Sequence, residues 1–585
     1  MSRDFPSARA KHLRLHPLAI ALAASIACVP LQAGTQRPNG GTTITVDNCD
    51  DSGPGSLRAA VASAVSGDFI GFAPSTPCSV ITLTSGPIVI ANDAEGQPFA
   101  ALDIFATGEV PLTIDGGGVD RVIVHDAGYE AVLRLEGLTV THGKSDASGG
   151  CILAAGSVLL TDTEVSSCVA GTVSGDAPSG NAAIRGGGVS AAKNVVLANS
   201  LVASNRIYGN ASYAYGGGIF AGRSFDAYAS TITNNLAFST GGAAYGGGLA
   251  AGDRAAYIQS TVTLVASVVT NNTSDSRCSF CGSRGGGVWA YGNTSTTGGE
   301  IDSNTAFSSY GYGTGGGLYF NARSNAPPVG ATIAGTDIGC NSADTGGGIA
   351  AGGDLAVSRA LLSCNTASKD GGAIELFGGD LTLTDSTLVS NGASQRGAGV
   401  FVFGYGDATI VNSTITGNTA AYGAAIGNTY GSLHLANSTI SGNRGLGHGG
   451  GIYFRYPYYP IDLKSTIVAG NDDGSGTPDD LWPPGLDVTG DHNLVIAADG
   501  VTLPGDTLQV DPLLLPIDLN GGPTSTMALA EGSPAIDAGS NPLSLPNDQR
   551  GDGYVRSYGV APDIGAYEVQ AAAPSDTIFA DGFES

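Results

Sequence analysis

Apolar and polar residues alternate in short runs through most of the chain, as in "STLVSN" at 386–391 and "STITGN" at 413–418. Alternation at period two marks a strand with one buried face, and runs this short leave room for strands and turns but not for a helix. Each run ends on an asparagine: Asn205, Asn235, Asn272, Asn304, Asn341, Asn365, Asn391, Asn418, Asn443 and Asn471. Three residues before every one stands an aliphatic, from Val202 and Ile232 through to Ile440 and Val468. A second marker is a small-residue triplet followed by an aliphatic, as in the "GGGV" that ends at Val189 and the "GGGI" that ends at Ile219. The aliphatics closing successive triplets, Val189 to Ile452, lie 30, 30, 39, 30, 31, 25, 26, 26 and 26 residues apart. A spacing that settles at one value and lengthens only by insertion is the period of a structural coil.

Short strands in tandem, without hairpin spacing, predict an all-β right-handed parallel β-helix, because a propeller blade needs about 40 residues and four strands. Each strand then pairs with its counterpart one coil away, about 4.8 Å along the axis. Equivalent residues stack in columns: aliphatics fill the interior, and asparagines at a turn pass amide hydrogen bonds from coil to coil. The glycine triplet belongs to the same geometry, since glycine supplies positive φ and lets neighbouring backbones approach. A phosphate-cradling role is disfavoured, as no Lys-Ser/Thr and no helix follow. Residues 56–66, "SLRAAVASAVS", form the one amphipathic helix, with Ser56 as N-cap, and close the first coil.

Composition and charge restrict the partners. Glycine is 91 of 585 residues, about twice the usual share, with two Met and two Trp. Arg3, Arg9, Lys11 and Arg14 precede an apolar run from Leu18 to Val29, and "PLQAG" offers a cleavage site near Ala33, so residues 1–33 read as a secretory signal peptide. A lipoprotein reading through Cys28 is the alternative. Removing four basic residues and Asp4 moves the net charge from −26 to −29. Such a chain repels nucleic acid and polyanionic glycans, and no later stretch is apolar for long enough to be an integral membrane segment. The expected location is secreted or cell-surface.

Eight cysteines remain once Cys28 is removed, an even number in an exported chain. Cys340 and Cys364 each precede a ladder asparagine in consecutive coils and should be bridged. Cys168 holds a ladder position in an earlier coil, with Cys151 its partner. Cys49–Cys78 is expected to staple the N-terminal cap. Cys278–Cys281, in "CSFC", is expected to be a local bridge, a zinc half-site being the alternative.

Three segments resemble known modules. "GGAI" at 371–374 with "TLVSN" resembles the repeat of the polymorphic outer-membrane protein adhesins, and "DSGPGSLRAAVASAVSGDFIGF", residues 51–72, resembles the CSLREA segment that opens many bacterial right-handed β-helix proteins. Residues 510–568 are similar to the choice-of-anchor module of the same secreted group. The resemblance implies a surface or secreted β-helix with no established catalytic residues. It divides the chain into a signal peptide (1–33), an N-terminal cap (34–80), coils (81–500), a C-terminal module (501–570) that closes the last coil, and a linker with tail (571–585). No counterpart of the adhesins' translocating barrel is expected in the stretch after residue 500.

Candidate chemistry lies where the repeat is broken. Glu300, Asp302 and Asp337 stand four, two and four residues before their ladder asparagines, the opposite parity to the buried aliphatic, so they should project outward together. With Glu300 and Asp337 about 5 Å apart by strand spacing, such carboxylates suit a retaining glycosidase pair or a Ca²⁺ site; the competing reading is a solvated acidic face. Between asparagine and glycine turn, the early coils carry about five extra residues, and these are aromatic. Tyr208, Tyr213, Tyr215, Phe238, Tyr245, Phe307, Tyr310 and Tyr312 should gather on one flank, suiting sugar rings or a protein surface; alternatively they lie down on the core. Asp472, Asp473, Asp479 and Asp480 form a candidate Ca²⁺ loop without the spacing of an EF-hand; no other cofactor is expected. His448 in "GHG" and Asp472-Asp473 resemble pieces of the polygalacturonase-type signature, in the wrong order and without the rest. The function expected is an adhesin-type protein binding a polysaccharide or surface protein on its aromatic flank; the alternative is an extracellular polysaccharide lyase or glycoside hydrolase using the acidic column.

Overall fold

The computed structural model describes residues 41–73, 79–106, 112–172, 183–210, 212–254, 257–321, 330–456, 459 and 461–570. The signal segment, Cys78 of the expected Cys49–Cys78 bridge, and the tail 571–585 lie outside the described residues.

One coil shows how the sequence folds. After the glycine turn come Val189–Ala191, Val195–Ala198 and Leu201–Ala203, then Asn205, then Arg206–Gly209 and Ala214–Tyr215 before the next turn. Val189, Ala191, Val195, Leu197 and Val202 are fully buried, so the period-two alternation points one residue set into a shared interior. Each strand pairs in parallel with its counterpart a coil away, Val202 with Ile232 and Val195 with Phe225. The result is four parallel sheets of 16, 15, 14 and 16 strands, the architecture of a right-handed parallel β-helix. The first sheet runs from Thr43–Val46 to Val488–Asp491, the second from Val80–Thr82 to Leu494–Val495, and the third from Ile88–Ile90 to Leu481–Trp482. The fourth is built by the segments between asparagine and glycine turn, from Lys144–Ser145 to Arg444–His448.

The asparagines form a continuous ladder. Asn235 accepts from the backbone N–H and the side-chain amide of Asn205, both at 3.0 Å, and donates to Asn272 Oδ1 and to the carbonyl of Val202. The pattern begins where Cys168 N–H donates to Asn205 Oδ1 and ends at Asp480, whose Oδ1 takes both donors of Asn471. The glycine triplet serves this ladder position by position. Gly216 has φ +74°, a Cβ on Gly217 would lie 2.2 Å from the Gly247 carbonyl oxygen, and one on Gly218 would lie 2.9 Å from the Asn235 amide carbon. A second ladder, one of serines, holds the turn between first and second sheets: Ser200 N–H donates to Ser230 Oγ and Ser230 N–H to Ser267 Oγ. It recurs at Ser386, Ser413 and Ser438, always five residues before a ladder asparagine, and that spacing is its sequence signal.

Both ends are covered. The helix Leu57–Ser63, shorter at each end than the expected 56–66, is capped by Ser56 and buries Leu57, Ala60 and Val61 against the first coil. The chain after residue 508 does more than close the last coil, since it turns back along the outer face of the second sheet. Ser525 carbonyl accepts from Thr387, Gln549 bridges the hydroxyls of Thr387 and Thr414, and Thr439 Oγ1 accepts from Ala566 N–H. Ile467 and Leu494 are sealed beneath Leu529, Ala535 and Ile564. Three expected bridges form: Cys151–Cys168, Cys278–Cys281 and Cys340–Cys364.

Candidate functional site

The extra residues of the early coils open the fourth sheet into protruding loops, and the aromatic residues divide there. Tyr215 and Tyr245 do not face solvent; they are stacked on each other at 4.6 Å and packed on Trp289. The reason lies beneath them. Phe220, Trp289 and Tyr319 are the second residues of third-sheet strands, point outward and need an apolar cover. Arg185 over Phe220 and Arg284 over Tyr245 complete that cover. The aromatic middle residue of "IFA" and "VWA" was the signal for this.

The other six rings remain at the surface or close to it. Tyr208 and Phe238 are partly covered and meet edge to face at 6.0 Å, and the next residue in their column is Asp275, not an aromatic. Asp275 hydrogen-bonds Arg277, whose guanidinium lies 5.4 Å from the Phe238 ring. Tyr213, Phe307, Tyr310 and Tyr312 are 45, 47, 72 and 59 % exposed. Lys369 stands 3.7 Å from the Tyr312 ring centre.

One further ring belongs with them and was missed. Phe280, inside "CSFC", is 97 % exposed with φ +67°. The Cys278–Cys281 bridge closes its loop, and the loop rests on the next coil: Ser308 Oγ donates to the Cys281 carbonyl, against which Gly311 leaves no space for a Cβ. Phe280 is thus held out beside the loop bearing Tyr310 and Tyr312. In the sequence the cysteines of "CSFC" carry the visible signal, as ligands or as a bridge, and the single Phe280 between them carries none.

The acidic column stands on the second sheet. Glu300 pairs with Asp337 and Asp302 with Gly339, with Ile301 buried between the two outward positions. Asp302 accepts from Ser303 Oγ and lies across Gly339. Burial first, then the charges of Asp302 and Asp337, raise the Glu300 carboxyl above the usual range. Thr270 precedes this group in its column and Ser363 follows it, before the C-terminal segment takes over the face at Thr387.

The four aspartates proposed as a Ca²⁺ loop are not brought together. Asp480 is the buried end of the asparagine ladder, its second oxygen accepting from Ala497 N–H, and burial pushes it up to about 6. Asp479 accepts from Gly449 N–H, Asp472 turns back on Gly474 and faces Arg444, and Asp473 closes a turn on Ser475 and Thr477. A loop of four acids resembles a ligand set in sequence, but each has a backbone donor to satisfy. Among the described residues no group of three or more His, Cys, Asp or Glu side chains is arranged to hold a metal. His448 stacks on Trp482 at 4.3 Å with Nδ1 3.7 Å from Asp479.

These features define a disulfide-bearing parallel β-helix with aromatic side loops. The chain is similar to the crystal structure of pectate lyase Pel9A, at 12 % identity, covering 91 % of this chain and 98 % of that one with a TM-score of 0.24. No family model and no curated protein matches the sequence. The class therefore rests on the four sheets, their register and the two ladders. Among the described residues no helix is long and apolar enough to cross a membrane.

Proposed function

We propose that this is a secreted or cell-surface adhesin-type protein that recognises a glycan or a partner protein through its aromatic side loops. The observation that carries the reading is Phe280, 97 % exposed at the tip of a disulfide-closed loop, next to the loop of Tyr310 and Tyr312. Leaving large rings in water is unfavourable, and clustered exposed aromatics mark contact surfaces. A covalently closed loop loses little freedom on binding, so more of the contact energy appears as affinity. Export fits the leader-like residues 1–33 and the bridges, and residues 51–72 and 510–568 resemble the CSLREA and choice-of-anchor segments of secreted β-helices.

The test is an array of glycans and extracellular proteins, run beside an activity screen on neutral and acidic polysaccharides. Binding lost in Tyr310→Ala/Tyr312→Ala and in Phe280→Ser, without turnover, supports the reading. Turnover abolished by Glu300→Gln replaces it with a polysaccharide-cleaving enzyme.

A further inference from the structure

The outer faces of the three main sheets differ in what covers them. The third is overlaid by Phe220, Trp289, Tyr319 and their aromatic and arginine cover, and the second disappears under the C-terminal segment from Thr387 onward. On the first sheet the outward residues of five successive coils stay open and enclose a shallow groove of about 680 Å³. Two columns line it. Thr263, Ser295, Thr332, Ala356 and Thr382 form one, and Thr261, Asn293, Gly330, Asp354 and Asp380 form the other. The floor drops at Gly330 and Ala356, where side chains are short or absent.

We infer that this groove binds a neutral linear polysaccharide lying along the solenoid axis. Five strands span about 19 Å, and a hydrogen-bonding group recurs at each strand spacing of about 4.8 Å, close to the repeat of an extended pyranose chain. Hydroxyl and amide side chains are the groups that pair with sugar hydroxyls. Several polar heads are already fixed: Asn293 Oδ1 accepts from Gly330 N–H, Asp354 Oδ1 from Asp380 N–H, and Asp380 Oδ1 from Asp407 N–H. Fixed partners reduce the ordering cost of binding. Among the described residues the lining contains two aspartates and no lysine or arginine, so a polyuronate or sulfated chain is repelled. An extended peptide fits less well, because peptides add to an open strand edge and the edges here are used between coils. The groove stands on a different face from the aromatic loops and does not depend on them.

Calorimetric titration of the full chain with cello-, xylo- and manno-oligosaccharides, from dimers to octamers, tests this. Affinity should tighten with length to about four sugars and then level off. Thr332→Trp, which fills the groove from an exposed position, and Asp354→Ala/Asp380→Ala should each weaken binding about tenfold or more with the melting temperature retained. Phe280→Ser should leave it unchanged. Absence of binding by all three series at millimolar sugar, affinity independent of length, indifference to Thr332→Trp, or preference for oligogalacturonate or for extended peptides would each overturn the inference.

Discussion

Asn304 concentrates four hydrogen bonds on one buried amide: it accepts twice from Asn272, donates to Asn341 and donates to the Val269 carbonyl. Asn304→Ala leaves those buried groups unpaired and should cost about 3–5 kcal/mol in denaturant unfolding; a loss below 1 kcal/mol would mean that water replaces the amide. Ladder residues were readable because every coil repeats them. Asp480 was not, since it ends the ladder only nine residues after Asn471, off the 26-residue period, and an acid among acids resembles a metal ligand. Phe280 was hidden for the opposite reason: it occurs once, and periodicity says nothing about a residue that never recurs.

Stacked coils and inserted loops behave as separate elements with separate sensitivities. The coil period, the outward parity of Glu300 and Asp337 and the Cys151–Cys168 and Cys340–Cys364 bridges follow from counting residues between repeats, and Cys278–Cys281 follows from the closeness of its two cysteines in one loop. The return of the C-terminal segment along the second sheet does not, because Gln549 finds Thr387 and Thr414 by shape and hydrogen bonding, with no repeat to set a register. Gln549→Ala removes its amide from those hydroxyls and from the Ser525 carbonyl. It should weaken protection of Thr387–Val389 and Thr414–Thr416 in hydrogen exchange by about 2–3 kcal/mol while leaving coils before residue 350 unaffected. In the side loops, Cys278→Ser/Cys281→Ser should lower binding several-fold without shifting the melting temperature, because the bridge orders a surface tip and not the interior. Equal binding by this variant would show that Phe280 needs no closed loop.

Taken as one body, the protein carries 51 acidic against 25 basic residues, and its perturbed acids set a pH response. Burial raises Glu375 and Glu568 to about 7 and Asp480 to about 6. A carboxyl whose folded value is raised adds stability that is complete below its unfolded value near 4 and is lost as pH rises through 6 to 7. Against the cost of burial, hydrogen bonds from Ser85, Arg58 and Thr84 hold Asp51 low, and those from Val65 and Thr42 hold Asp68 low; their contribution is lost only in stronger acid. The melting temperature should therefore be higher at pH 5 than at pH 8 by about 2–5 °C, with the difference reduced in Glu375→Gln. A melting temperature that falls from pH 8 to pH 5 would contradict these assignments. The solenoid thus provides an acidic body whose ladder asparagines and glycine turns are scaffold and whose Phe280, Tyr310 and Tyr312 face outward. That division is tested most directly by titrating wild type and Phe280→Ser against the strongest ligand on the glycan and extracellular-protein array whose binding Thr332→Trp in the first-sheet groove leaves intact. The account predicts at least about tenfold weaker binding by the folded variant; equal affinity for the two proteins would contradict it.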